Sequence, residues 1–191
     1  MKKTLLLSVA ALALFAGAAQ AADLKFKPGE DKRFNWASYD DFKKAHGDLK
    51  GQTLTMFGPW RGEDETLVKS MLAYFEDATG VTVNYSSSEN YEQQIVIDTQ
   101  AGSPPNIAVL PQPGLLADLA AKGFLTDLGD DTATWMKDNY AAGQSWVDLG
   151  TYKGKDGNKH FYGFSYKADV KSLVWYSPEN FDDAGYEVPK T

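Results

Sequence analysis

The sequence predicts an α/β fold in which helices cover a mostly parallel, doubly wound sheet. Three observations lead to this prediction: apolar segments with strand character recur three times, each is followed by a loop rich in glycine, proline or serine, and each loop is followed by apolar residues at helical spacing. Strands that alternate with helices are joined by right-handed crossovers and run parallel. We therefore expect the loops after the strands at one edge of the sheet.

The first strand–loop–helix unit begins with a strand predicted at residues 53–57, which ends at a Gly-Pro pair. Trp60 and Arg61 follow in the loop. Apolar residues then recur every three or four positions, which predicts a helix over residues 64–79. Gly80 comes directly after it, where a left-handed glycine commonly ends a helix.

The second and third units repeat this order. A strand predicted at residues 81–85 leads into a serine run, in which Ser86 and Glu89 have the spacing of a capping box for a helix over residues 90–101. The continuous apolar run at residues 107–110 predicts a strand buried on both faces. A Pro-Gln-Pro-Gly loop and a short helix follow it.

The rest of the pattern is less regular. A helix over residues 38–45 is predicted ahead of the first strand, with Ser38 as its cap, whereas residues 127–150 show no clear period. Further elements are predicted near the end of the chain: a turn at residues 153–159 between two strands, strands at 160–166 and 172–176, and a helix over 177–184. We expect Trp175 and Tyr176 to pack in the core of the last strand.

The first 21 residues have the form of an export signal. Lys2 and Lys3 precede an apolar run, and the Ala-Gln-Ala at residues 19–21 predicts cleavage after Ala21. The run is short for a bilayer span, although an uncleaved anchor is the alternative. The signal has a bacterial form, which predicts a periplasmic protein.

The composition disfavours several functional classes. The chain has no cysteine, so neither a disulfide scaffold nor a lipid-bearing cysteine is expected. Without the signal, 17 basic and 26 acidic residues remain, which gives a formal charge of −9. Such a protein is repelled by phosphate backbones and anionic lipid headgroups. We therefore expect neither nucleic-acid binding nor stable insertion into a membrane. A monomer is also expected.

Seven side chains are candidates for a ligand site, because open α/β sheets bind ligands at the carboxyl ends of their strands. They are Trp60, Arg61, Asp64, Asn90, Tyr91, Gln112 and Asp169. Trp60 offers a flat apolar face, Arg61 a fork of donors, and Gln112 a donor and an acceptor. For each candidate a structural role remains open, and the acidic cluster around Asp64 also suits the positive end of a helix.

No motif for catalysis, a metal or a cofactor is found. Glycosidases need two facing carboxylates, and no motif assigns that role to Asp64 or Asp169. His46 and His160 lack metal-ligand spacing. The turn at residues 153–159 lacks the alternating ligands and the closing glutamate of a calcium loop. We therefore predict neither an enzyme nor a bound cofactor.

Five segments carry a resemblance to a known family. They are LTMFGPWRGEDE, AYFEDATGVTVNY, AGSPPNIAVLPQPG, HFYGFSYKAD and LVWYSPENFDDAGY. In this order they resemble the extracellular solute-binding proteins of sugar ABC transporters, and among these the alpha-glucoside-binding members. Asn106 is a small departure, since the family commonly has aspartate at this position.

The resemblance implies a periplasmic-binding-protein-like molecule whose two lobes close on a disaccharide or oligosaccharide and deliver it to a membrane permease. It adds a first lobe at 51–168 and a crossover with an incomplete second lobe at 169–191 to the signal peptide 1–21 and the N-terminal extension 22–50 predicted from the sequence. The family chain is longer, so we expect a fragment that holds part of the sugar site. An exported non-binding remnant and, less favoured, a secreted carbohydrate-active enzyme are the alternatives.

Overall fold

The computed structural model describes residues 24–27, 29–32, 34–167 and 174–188. The predicted export signal, its cleavage point and Asp169 lie outside these ranges. Contacts between Cα atoms divide the chain after Leu110 into two compact units. The lobe limits implied by the resemblance, 51–168 and 169–191, stay a prediction.

The first unit alternates helices and strands, as the sequence predicts. Its elements are α1 (Trp36–His46), β1 (Thr53–Gly58), α2 (Glu63–Thr79), β2 (Thr82–Ser87), α3 (Tyr91–Gln100) and β3 (Ile107–Ala108). β1 lies between β2 and β3 and is parallel to both. The mostly parallel α/β sheet is therefore confirmed, and the loops that follow β1 and β2 start from the same edge.

β3 is only two residues long, and hydrogen bonds on either side of it extend its contact with β1. The Oδ1 atom of Asn106 accepts hydrogen bonds from the Thr55 N–H at 2.8 Å and the Thr55 hydroxyl at 2.9 Å. On the other side, the Val109 N–H donates to the Phe57 carbonyl at 2.9 Å. The strand predicted at residues 107–110 is therefore too long, and it is not buried on both faces, since Ile107 is 44% exposed.

Asn106→Asp should leave the free energy of unfolding almost unchanged, because a carboxylate supplies the same acceptor to Thr55. Asn106→Ala should lower it by about 1–2 kcal/mol, because the Thr55 N–H then loses its partner. Urea unfolding followed by circular dichroism measures both changes, and Asn84→Ala, at an exposed position of β2, is the control. An aspartate variant as unstable as the alanine variant would refute this role for the acceptor oxygen.

Local hydrogen bonds set the ends of helices in the first unit. α1 begins after Asn35, whose side-chain oxygen accepts a hydrogen bond from the Ser38 N–H at 3.1 Å. The prediction that Ser38 caps this helix is wrong, because Asn35 occupies the capping position. α2 ends as predicted at Gly80, which has a φ of 76° and donates its N–H to the Glu76 carbonyl.

Aromatic and charged side chains join α1 to α2. The rings of Phe34 and Tyr74 stack with their centroids 5.1 Å apart. Tyr39 is buried, and its hydroxyl donates to the Asp77 carboxylate, which also pairs with Lys43 at 2.7 Å. Burial and the hydrogen bond to Asp77 raise the pKa of Tyr39. α1 is therefore packed firmly on the first unit.

The second unit contains more helix than the sequence predicts. Its elements are α4 (Pro113–Lys122), α5 (Gly129–Asn139), α6 (Gln144–Leu149), β4 (Thr151–Lys153), β5 (Lys159–Phe161) and α7 (Pro178–Asp183). β4 and β5 are antiparallel and are joined by the predicted turn. α7 lies where a helix is predicted, and the Ser177 hydroxyl accepts a hydrogen bond from the Asn180 N–H at 3.3 Å.

The core of the second unit lies between α5, α6 and β5. Buried residues form its centre and partly buried residues pack around them: Met136, Val147 and Phe161, then Ala133, Tyr140 and Trp146. α5 contributes one buried residue, Met136. Ala133, Met136 and Tyr140 recur at helical spacing and pack in or against this core, so α5 has an apolar face that the sequence prediction missed.

The strand predicted at residues 160–166 ends early, at Phe161. The N–H groups of Tyr162 and Gly163 both donate to the Gly150 carbonyl, at 2.8 and 3.2 Å. The regular pairing of β4 with β5 therefore stops at Thr151 and Phe161. A Cβ atom on Gly150 would lie 2.0 Å from the Gly163 carbonyl oxygen. This close approach therefore requires glycine at position 150.

The prediction that Trp175 and Tyr176 pack in the core of a strand is wrong. Residues 174–177 belong to no strand, and Trp175 is 87% exposed. The start of the predicted strand, residues 172 and 173, lies outside the described ranges. Among the described residues the sheets contain only β1–β3 and β4–β5, so this segment has no neighbouring strand to pair with.

His160 lies between two carboxylates in the second unit. Its Nδ1 atom is 2.8 Å from Asp127 Oδ2, and its Nε2 atom is 2.9 Å from Asp156 Oδ2. The hydrogen bonds to Asp156 and Asp127 raise the pKa of His160 above its ordinary value of 6.5. Hydrogen bonds from His160 and Asn158 lower the pKa of Asp156 to about 2. A carboxylate oxygen at each ring nitrogen favours the protonated form of His160, in which both nitrogens can donate.

The melting temperature of the second unit should fall as pH rises through the folded-state pKa of His160. A raised histidine pKa stabilises the fold below the unfolded value, and this contribution is lost once the ring is neutral and can donate only one N–H. The lowered pKa of Asp156 stabilises above its unfolded value and is lost only toward a pH of about 2. Thermal melts at about pH 6 and about pH 9 measure the change.

His160→Gln is the matched variant, because it keeps a polar side chain but does not titrate in this range. Its melting temperature should change less between the two pH values than that of the unsubstituted chain. An equal change in both proteins would show that other groups cause the pH dependence.

Candidate functional site

The candidate site lies at the carboxyl ends of β1 and β2 in the first unit. The loop after β1 carries Trp60 and Arg61, and the loop after β2 carries Glu89 and Asn90. Because β1 and β2 are parallel and in register from Thr53↔Thr82 to Gly58↔Ser87, both loops leave the sheet side by side. Side chains from the two loops are therefore close enough to act together.

Trp60 is partly exposed, and its main chain is fixed by a tyrosine of the neighbouring strand. The Trp60 N–H donates to the Tyr85 hydroxyl at 2.9 Å, and this hydroxyl donates to the Trp60 carbonyl at 3.0 Å. The two rings lie 6.2 Å apart at 33°. A flat ring that is partly exposed and held in place suits stacking against the apolar face of a sugar.

Arg61 forms an ion pair with Glu89 that joins the two loops. The guanidinium Nη2 atom lies 2.7 Å from Glu89 Oε1, and the two side chains are 50% and 75% exposed. The hydrogen bond from Arg61 lowers the pKa of Glu89. The predicted capping box is therefore wrong, because Glu89 pairs with Arg61 and α3 begins after Asn90.

Asp64 lies in the first turn of α2, between Glu63 and Glu65, and is exposed. Glu65 pairs with Lys69 at 2.6 Å along the helix. All three carboxylates are at the end of the helix where the macrodipole is positive, which explains their position without a ligand. A ligand contact for Asp64 stays a prediction.

Asn90 and Tyr91 begin α3 at the same edge. The Asn90 carbonyl accepts hydrogen bonds from the N–H groups of Gln93 and Gln94, at 3.1 and 2.9 Å, but its exposed side chain makes no capping bond. Tyr91 is only 8% exposed, and its ring packs edge-on against Phe57 at 6.3 Å. The Asn90 amide therefore faces solvent, whereas the Tyr91 ring contributes to the core.

Two of the seven predicted site residues, Gln112 and Asp169, are not among the described residues of the first unit. Gln112 belongs to the second unit, where it is exposed and directly precedes α4 with an extended backbone. Asp169 lies outside the described residues. Their roles as ligand contacts stay predictions.

Sequence reasoning missed Tyr85 and Glu89 as parts of the site. Tyr85 occupies an ordinary apolar strand position, and Glu89 matches the spacing of a helix cap. Only the pairing of β1 with β2 brings both side chains to Trp60 and Arg61. The only sequence signal that could have revealed them is the prediction that the loops after parallel strands lie at one edge of the sheet.

The described residues hold no ready-made metal centre: no group of three or more His, Cys, Asp or Glu side chains in them could hold a metal ion. Within the same residues, no helix has both the length and the apolar character needed to cross a membrane.

A parallel sheet with aromatic, guanidinium and amide groups at the carboxyl ends of its strands is the arrangement of α/β proteins that bind small ligands. The sequence model of the bacterial extracellular solute-binding proteins matches residues 58–191. The chain therefore belongs to this family, which confirms the resemblance found in its motifs.

Two relatives are similar over much of the chain. The alpha-glucosides-binding periplasmic protein AglE of Rhizobium meliloti is 74% identical over 197 aligned residues, which cover 100% of this chain and 43% of AglE. The osmoprotective compounds-binding protein GgtB of a Synechocystis species is 38% identical over 148 residues, which cover 77% of this chain and 34% of GgtB. The chain thus spans less than half the length of either relative.

A solved structure of CpMnBP1 with mannotriose bound is similar with a TM-score of 0.44 and 23% identity. The match covers 59% of this chain and 28% of CpMnBP1.

Proposed function

We propose that this chain is part of the periplasmic substrate-binding component of an ABC transporter for sugars, and that its ligands are alpha-glucosides. The observation that carries the proposal is the 74% identity to AglE over the whole chain. At this level of identity, most residues of a shared binding surface are expected to be the same. Delivery of the sugar to a membrane permease follows from the same proposal.

The geometry of the first unit supports a sugar as the ligand. Carbohydrates present an apolar face of C–H groups and a rim of hydroxyls, so their sites combine flat aromatic rings with planar polar groups. Trp60 supplies such a ring, and the Arg61 guanidinium and the exposed Asn90 amide supply polar groups at the same edge. We infer that Gln112 and Asp169 add further polar contacts to the bound sugar.

The affinity of these 191 residues should be lower than that of a two-lobed receptor. A micromolar sugar site provides about −8 kcal/mol, and a site that makes half of those contacts retains about −4 kcal/mol, which corresponds to a millimolar Kd. We propose that the complete site closes between two lobes, with limits at 51–168 and from 169, and that this chain supplies one wall of it. A monomer, exported with cleavage after Ala21, is part of the proposal.

A second candidate is the binding of osmoprotective compounds, which the 38% identity to GgtB supports more weakly. A remnant that binds nothing is the third. Both relatives are named as binding proteins, so we infer binding without catalysis.

Titration of intrinsic tryptophan fluorescence with maltose, sucrose and trehalose tests the proposal, with lactose as the control disaccharide that lacks an alpha-glucoside bond. We expect a saturable change for at least one alpha-glucoside with a Kd of about 1 mM, and no saturable change with lactose. No saturation up to tens of millimolar would favour the remnant. Release of reducing sugar from sucrose or trehalose, which are both non-reducing, would instead reveal an enzyme.

A further inference from the structure

β2 and the loop after it hold two side chains against the Trp60–Arg61 pair. Tyr85 is the fourth residue of β2, and Glu89 lies two residues beyond its end. Tyr85 contacts the peptide groups of Trp60, and Glu89 contacts the guanidinium of Arg61. Each of the two adjacent candidate ligand residues is therefore fixed by a different side chain from the neighbouring strand.

The contact from Tyr85 is built into the packing of the sheet. Tyr85 is 8% exposed, and its hydroxyl both accepts from the Trp60 N–H and donates to the Trp60 carbonyl. A Cβ atom on Gly58 would lie 3.1 Å from the Tyr85 hydroxyl and 3.2 Å from Val109 Cγ2, so the space beside the phenol is already tight. The hydroxyl thus replaces, for Trp60, the backbone pairing that ends with β1 at Gly58.

The contact from Glu89 restricts the long side chain of Arg61. An exposed arginine samples many rotamers, and an ion pair at 2.7 Å with a residue of the next loop selects those that point along the edge of the sheet. The pair also leaves the edge without an unbalanced charge from Arg61. A neutral polyol is compatible with such an edge, because the guanidinium and carboxylate offer donors and acceptors side by side.

We propose that Tyr85 and Glu89 are positioning residues of the ligand site: Tyr85 fixes the main chain of Trp60, and Glu89 fixes the guanidinium of Arg61. The effect on ligand affinity rests on the function proposed above. The positioning itself does not, because it exists in the ligand-free chain and can be measured there.

Fluorine NMR of the full chain labelled with 5-fluorotryptophan tests the role of Tyr85. The chain has five tryptophans, and Trp60→Phe identifies the Trp60 signal. Tyr85→Phe keeps the ring but removes the hydroxyl, so we expect the Trp60 signal to shift or broaden while the other four keep their positions. Tyr39→Phe, which removes the hydroxyl bonded to Asp77 in the same unit, is the matched control. An unchanged Trp60 signal in Tyr85→Phe would overturn the assignment.

Nitrogen NMR of the arginine side chains tests the role of Glu89. The chain has two arginines, Arg33 and Arg61, so Arg61→Lys assigns both signals. We expect Glu89→Ala to shift the Arg61 signal, and Glu65→Ala, which breaks the ion pair with Lys69, to leave it in place. If the Arg61 signal were the same with and without the Glu89 carboxylate, this half of the proposal would be refuted.

A double-mutant cycle on sugar affinity then separates positioning from direct contact. If Glu89 acts through Arg61, Glu89→Ala should raise the Kd about threefold in the unsubstituted chain and have no effect in the Arg61→Ala background. If the Kd of the double variant rose by the product of the two single fold-changes, Glu89 would act on the ligand independently of Arg61, which contradicts a positioning role. If the unsubstituted chain bound no sugar, the proposed function would fail, and the two ligand-free NMR measurements would still decide the positioning.

Discussion

Met136→Ala should lower the free energy of unfolding of the second compact unit by about 2–5 kcal/mol. Met136 is fully buried among Val147 and Phe161, and its removal leaves a cavity that the helices and the hairpin around it cannot close completely. Thermal or urea unfolding, followed by near-ultraviolet circular dichroism of the aromatic residues around this core, measures the loss.

Two variants make this result specific. Met136→Leu conserves most of the volume and should cost less than about 1.5 kcal/mol. Lys137→Ala changes the next residue, which is exposed, and should have little effect. If Met136→Ala were as stable as Lys137→Ala, Met136 would not be the centre of the core of the second unit.

Trp60→Ala should raise the Kd for an alpha-glucoside about 30-fold, which corresponds to about 2 kcal/mol. The variant removes the stacking face but keeps the peptide groups to which the Tyr85 hydroxyl is bonded. The loop should therefore keep its conformation while its affinity for the sugar falls. Because the change removes one of the tryptophans that report binding, the Kd should be measured by ligand-observed NMR.

Trp135→Ala is the control for this prediction. Trp135 lies on α5, is 52% exposed and packs near Phe164 with ring centroids 5.9 Å apart. Its loss should leave the Kd unchanged. Equal weakening by both variants would indicate a general loss of structure, and an unchanged Kd in Trp60→Ala would remove Trp60 from the site.

The first unit was largely predictable because its signals are local. Periodic apolar residues mark α2, and Gly80 marks its end with a backbone conformation that favours glycine. The order of strands and helices then determines the parallel sheet and places the loops of Trp60 and Asn90 at one edge. The pairing that a side chain adds at Asn106 was not predictable, because it depends on a contact with Thr55, 51 positions away in the chain.

The second unit was less predictable because its structure depends on contacts across the fold. α5 places Ala133, Met136 and, at its end, Tyr140 against the core, but these few apolar positions lie in a mostly polar helix, whose packing against α6 and β5 keeps it in place. An aromatic run predicts a strand at residues 160–166, but the strand ends at Phe161, where Gly150 lies close to Gly163. In the first unit, Glu89 was likewise not predictable, because its spacing fits a helix cap but its partner, Arg61, lies 28 residues away in the chain.

The hydroxyl of Tyr85 bonds to main-chain atoms of position 60, and these atoms are present whatever amino acid stands there. These two hydrogen bonds thus hold the backbone at this position by contacts that do not depend on the side chain. A substitution at position 60 should therefore leave the path of the loop unchanged.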